Sequence, residues 1–213
     1  MSLQEEQDKA IQALENLLNR ETVYKNIIFS SVFVMFFETL KHFIIWKLKE
    51  LYCEKRIGSR NCNNDNFDDF KETERYKQEV KFLEGKLLYA STRWFQNHGA
   101  INQKEYDTVL EAYTRRCRFV HELFNCLSEN ISEHDVTLLC TIAEIYYKLD
   151  SWWIYNIDFP DEVPNPETVK QEDCLSSTAL FHKMIIDIIT GNDNKYTEIL
   201  EQIRSAIKQQ RMP

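Results

Sequence analysis

Within the run Tyr113-Thr114-Arg115-Arg116-Cys117-Arg118-Phe119-Val120-His121-Glu122-Leu123 stand three arginines and a histidine. An imidazole titrates near neutral pH, and a guanidinium stays charged and presents a fork of donors. These are the side chains that hold anions and move protons. Arg115, Arg116 and Arg118 form the densest local basic cluster in the chain. Their spacing limits how they act together. Five steps along a straight helix turn by about 500°, so Arg116 and His121 point about 140° apart and do not close on one phosphate. Arg118 and His121, three apart, share a face. Either the helix begins or kinks near Arg116, or a site built from this pair spans two chains. The plain alternative is that Arg118 and Glu122 form an ordinary i,i+4 ion pair on a solvated helix face and the Arg-to-His spacing is fortuitous.

The rest of the helix sets how those groups are presented. Leu110, Tyr113, Cys117, Val120, Phe124 and Leu127 recur at steps of three and four, the pattern of a buried seam. Cys117 on that seam reads as a small buried hydrophobe. Beside it lies a second stripe of Ala112, Arg116, Phe119 and Leu123; its apolar members need another surface, and self-association through Ala112, Phe119 and Leu123 would supply one. A polar line of Thr114, Arg118, His121 and Asn125 completes the turn.

Few breakers interrupt the chain: 213 residues contain 4 Gly and 4 Pro, with 43% hydrophobic and 13% aromatic side chains. Such a composition predicts an all-α fold with a substantial core, an up-and-down helical bundle followed by a C-terminal helical hairpin. Ile11, Leu14, Leu17 and Leu18 mark one face of a first helix. The most apolar stretch, Ile27 to Trp46, is uncharged only over Ile27 to Phe37, 11 residues against the roughly 20 that a bilayer requires. It reads as a central core helix.

After a polar loop (Ile57 to Phe67), Asp68 or Asp69 is expected to cap a long helix ending at Asn97-His98-Gly99. Glycine there takes the left-handed position, and the histidine suits the helix C-terminus. Asn102-x-x-Glu105 reads as a capping box that opens the Arg/His helix, and Ser132-x-x-Asp135 opens another that runs to about Ile157. The prolines and acids of Phe159 to Glu167 mark a linker. The expected organisation is a bundle over 1–158, a linker over 159–172 and a hairpin over 173–213, with helices at Leu180 to Ile189 and Tyr196 to Ile207.

The net charge of −8 and a pI near 5.2 oppose broad attraction to nucleic acid. Six cysteines without a C-x-x-C pair, behind a polar acidic N-terminus, suit reduced thiols in a cytoplasmic protein and no membrane partner. Among other candidates, His42 is expected to bond Glu38 at the core edge. His134 and His182 read as structural or exposed, and Trp152 and Trp153 as packing at a bundle end.

An arginine followed after four residues by histidine, on a late helix entered through the Gly99 stop and the Asn102 cap, resembles the HEPN superfamily of small helical domains. The resemblance implies a metal-independent endoribonuclease of prokaryotic defence or toxin–antitoxin type, needing no cofactor, in which two protomers bring their motifs into one cleft. It implies RNA as substrate, a homodimer, and an antitoxin protein as partner. His121 would act as general acid or base on the ribose 2′-hydroxyl or the leaving oxygen, and Arg116 would hold the scissile phosphate. Arg115, Arg118 and Asn125 would assist in binding substrate. In the family the residue after the arginine is often polar; here it is Cys117. That departure, with the acidic net charge, defines a second class of function: a non-catalytic helical interaction module, a degenerate HEPN domain that binds a partner protein or nucleotide.

Overall fold

A computed structural model describes residues 3–55, 70–158 and 170–189. It is all-α apart from one short antiparallel pair of strands. Eight α-helices follow one another among the described residues: α1 (Leu3–Leu18), α2 (Arg20–Tyr52), α3 (Glu74–Glu79), α4 (Leu87–Asn97), α5 (Gln103–His121), α6 (Leu123–Leu127), α7 (Glu133–Trp153) and α8 (Ser177–Ile189). Strands β1 (Glu54–Lys55) and β2 (Phe70–Lys71) pair with Glu54 opposite Lys71. The chain divides into two compact units at Leu149/Asp150, inside α7, so the expected boundary near residue 158 falls earlier.

In the first unit α2 is the spine. Its local start is set by Asn19, whose side chain accepts from the backbone N–H of Glu21 and Thr22 and separates α1 from α2. Phe33, Phe36, Phe37, Leu40, Ile44 and Leu48 are buried along it. Phe33 meets Phe119 of α5 edge-on at 5.1 Å, and Phe43 meets Tyr146 of α7 at 5.5 Å. Each such buried side chain contributes roughly 1.5–3 kcal/mol of hydrophobic stabilisation. One face of the apolar stretch is therefore core. By length and composition alone α2 is also apolar enough to cross a membrane, a test that core helices pass as well.

The long helix expected to end at Asn97 is broken. Thr73 caps α3, and the backbone leaves helical geometry at Val80 (φ −120°, ψ −64°). A 3-10 turn over Lys81–Leu83 follows, and Glu84 is extended before α4 begins. Tyr76, Val80 and Trp94 are nonetheless buried as their spacing suggests. Val80 and Gly85 interrupt a pattern whose apolar periodicity continues across them. Further on, the structure matches the sequence closely. Gly99 takes φ 74°, and Asn102 and Glu105 form a reciprocal capping box. Ser132 and Asp135 exchange the same pair of bonds at the head of α7.

In the second unit, after the α7 end passes through a wider turn at Ile154–Asp158, Asp150 accepts from the Ser176 N–H at 2.7 Å just before α8. Burial lowers the His182 pKa against the opposing pull of Asp150. The expected loop at 57–67, the Asp68 and Asp69 caps, residues 159–169 of the linker and the second hairpin helix lie outside the described residues.

Candidate functional site

Helix α5 is uninterrupted from Gln103 to His121. Arg116 therefore sits in its interior, and no kink brings it round to His121. The helix stops at the histidine: Glu122 (φ −124°, ψ 31°) redirects the chain into α6. His121 occupies the last turn, where the carbonyl end of the helix favours positive charge.

An open groove of about 770 Å³ lies along the outer face of α5, closed by the turn after α6 and the first turns of α7. Arg115, Arg118, His121 and His134 line it, together with the carboxylates Glu111, Glu122, Glu129 and Asp135. Arg115 is ion-paired with buried Asp135: its Nη2 donates to Oδ2 at 2.7 Å, and its Nε stands 2.6 Å from Oδ1. Its guanidinium also lies 4.7 Å over the Phe119 ring. Asp135 thus serves as the α7 cap and as the arginine's counter-ion. Burial pushes its pKa up, but the Ser132 hydroxyl and Arg115 outweigh burial, and the carboxyl titrates below its ordinary value.

Arg118 pairs with Glu129 across the groove and with Glu122 at 3.5 Å, so the expected i,i+4 pair forms. Behind it the buried Cys126 thiol is pushed up by burial. His134 Nε2 lies 2.6 Å from Glu111. His121 is exposed and has no hydrogen bond or ion pair among the described residues. It is the one of the groove's arginines and histidines left open to a ligand.

The expected site residues separate into two groups. Arg115, Arg118 and His121 come together in the groove. Arg116 does not line it: its Nη2 is 2.5 Å from Glu38 Oε1 on α2, while the other Glu38 oxygen accepts from Lys41 at 3.0 Å. Glu38 is therefore the arginine's partner, and His42, expected to bond it, stacks on Trp46 instead. Asn125 is exposed on α6, outside the groove.

The face assignments along α5 need correction. Tyr106, Val109, Ala112 and Phe119 are the buried positions, with Phe119 5% exposed against Phe29 and Phe33. The expected seam lies on the open side at its end, with Val120 44% and Phe124 72% exposed. Ala112 and Phe119 are covered by their own chain, so they cannot form the interface assigned to them; only Leu123 of that trio is exposed. The reason is α2, which packs on Phe119 of the narrower stripe, touches the longer one at Tyr113 and leaves its end, Val120 and Phe124, uncovered.

Three carboxylates that hold the arginines were not read as doing so in the sequence. Glu38 and Glu129 reach their arginines from other elements, and Asp135 reads only as a cap. Among the described residues no group of three or more His, Cys, Asp or Glu side chains could hold a metal ion. Comparison with protein-family models, curated proteins and solved structures gave no match.

Proposed function

We propose that the chain is a HEPN-like helical protein acting on RNA as a metal-independent endoribonuclease, assembled as a homodimer in the cytoplasm. The observation that supports this most is His121: an exposed imidazole without a partner among the described residues, lining a groove shared with Arg115 and Arg118. It would take the proton of a ribose 2′-hydroxyl, or return one to the leaving oxygen. The 2′-oxygen attacks the phosphorus, the bond to the 5′-oxygen breaks, and a 2′,3′-cyclic phosphate and a 5′-hydroxyl result. Arg116, fixed by Glu38 on the other side of the straight helix, would stabilise the developing phosphorane charge for the second chain's histidine.

The test is cleavage of a mixed cellular RNA pool in EDTA by the wild type and by His121→Ala, with analysis of fragment ends. The wild type is expected to leave cyclic phosphate ends, with a loss of at least about a hundredfold in the variant, the scale of a general acid–base group. Equal cleavage by both would remove His121 from the mechanism.

A second reading is favoured by the groove's charge. Each of its arginines already faces a carboxylate, and four acids stand against two arginines. That balance suits a non-catalytic interaction module better than a polyanion channel. Intact RNA with both proteins would support it, with an antitoxin or other protein as the natural ligand.

A further inference from the structure

An apolar surface lies uncovered at one end of the first unit. On α2, Tyr24, Ile27, Ile28 and Met35 are exposed on the side away from the core, and only 39% of this helix's most apolar 18-residue window is buried. On α5 and α6, Val120, Leu123 and Phe124 are exposed as well. The two stripes are neighbours. The antiparallel register that sets Phe33 on Phe119 and Glu38 on Arg116 brings Ile27 and Ile28 level with Phe124, and Ser31 level with Val120. Helix α1 extends the surface. It is an amphipathic helix of 16 residues whose Ile11, Leu14 and Leu18 are exposed, the last 85%. Its buried Asn16 donates to the Ser128 carbonyl at 2.8 Å. A helix this short gains little stability without tertiary burial of its apolar face.

We infer that a second copy of this chain docks on the surface formed by α1, the N-terminal half of α2 and the α5–α6 corner, giving a two-fold symmetric dimer. Area is the first argument. The ten exposed apolar side chains leave on the order of 1,000 Å² open, above the few hundred that a monomer tolerates and above the roughly 800 Å² that each partner buries in a stable complex. Charge is the second, and it separates a protein partner from a lipid surface. Glu5, Glu6 and Asp8 stand in α1 against the single Lys9, whereas helices that lie on membranes are rich in Lys and Arg on the polar face. The third argument selects a copy of the same chain and rests on the ribonuclease reading. The Arg116–Glu38 pair lies between the two stripes, while His121 points about 140° away on the same helix, so a site containing both is completed only by another chain.

Sedimentation velocity of the full chain at micromolar concentration tests this, using the wild type, Ile28→Glu, Phe124→Glu and, as a control at the other end of α2, Leu51→Glu. All three substituted positions are exposed, so helix content by circular dichroism should be unchanged. The wild type and Leu51→Glu are expected to sediment as dimers. Ile28→Glu and Phe124→Glu should weaken association about a thousandfold, because symmetry buries each new carboxylate twice. A monomeric wild type, or a dimer that survives both substitutions, overturns the inference. So does flotation of the wild type with phosphatidylcholine–phosphatidylserine vesicles that Phe124→Glu abolishes. A dimer built on this surface that leaves RNA intact keeps the interface and defeats the ribonuclease reading; RNA cleavage by a monomer does the reverse.

Discussion

At the scale of single residues the site is governed by carboxylates that reach in from other elements. Asp135 caps α7 with Ser132 and clamps Arg115, and it is 3% exposed. Asp135→Asn keeps the size and part of the cap but leaves a partly buried guanidinium without its counter-charge. A loss of about 3 kcal/mol is expected from urea unfolding at neutral pH. The pH dependence has a fixed sign. A carboxyl whose folded pKa is lowered contributes stability above its unfolded value near 4 and loses it as the pH falls through the folded value. The gap between wild type and Asp135→Asn should therefore close on acidification below about pH 4. Local chemistry of this kind was legible in the chain: Asn102 with Glu105, Ser132 with Asp135, and Gly99 all do what their types and spacing dictate. Their bonds span three residues. The pairing of Arg116 with Glu38 joins two helices distant in sequence, and nothing local to either residue announces it.

At the scale of elements, periodicity identified the helices but misjudged which face α5 buries. The stripe with more apolar positions is the exposed one at the helix end, because burial follows the neighbour that is present. Here α2 packs on Phe119 and, although it runs alongside Val120 and Phe124, leaves their side chains uncovered. Breaks were equally hard to read where the apolar spacing ran through them, as at Val80 and Gly85, while Asn19 interrupts α1 and α2 by capping. The turn that closes the groove depends on one α2 side chain. Asn26, 3% exposed, places its Nδ2 within 3.2 Å of the Cys126 carbonyl, 3.0 Å of Leu127 and 2.7 Å of Glu129. Asn26→Ala should cost about 2 kcal/mol by removing this donor from the Leu127 and Glu129 carbonyls, while that of Cys126 still accepts from the Glu129 N–H. It should also loosen Glu129 from Arg118. Faster hydrogen exchange at the Glu129 amide, with little change in α4, is the expected signature.

At the scale of the whole molecule, the acidic net charge and the acid-lined groove argue that binding depends on a few fixed groups and not on a broad positive field. A straight α5 then makes the central claim a claim about two chains: Arg116 from one and His121 from the other must form the working site. Mixing two inactive variants tests it most directly. Arg116→Ala and His121→Ala, each inert on RNA in EDTA by itself, are combined under conditions that allow subunits to exchange. Half of the resulting dimers would pair unlike chains, and each of these holds one intact cleft, so activity should return to about a quarter of the wild-type level. No recovery after verified subunit exchange, or full activity in Arg116→Ala alone, would contradict the shared site.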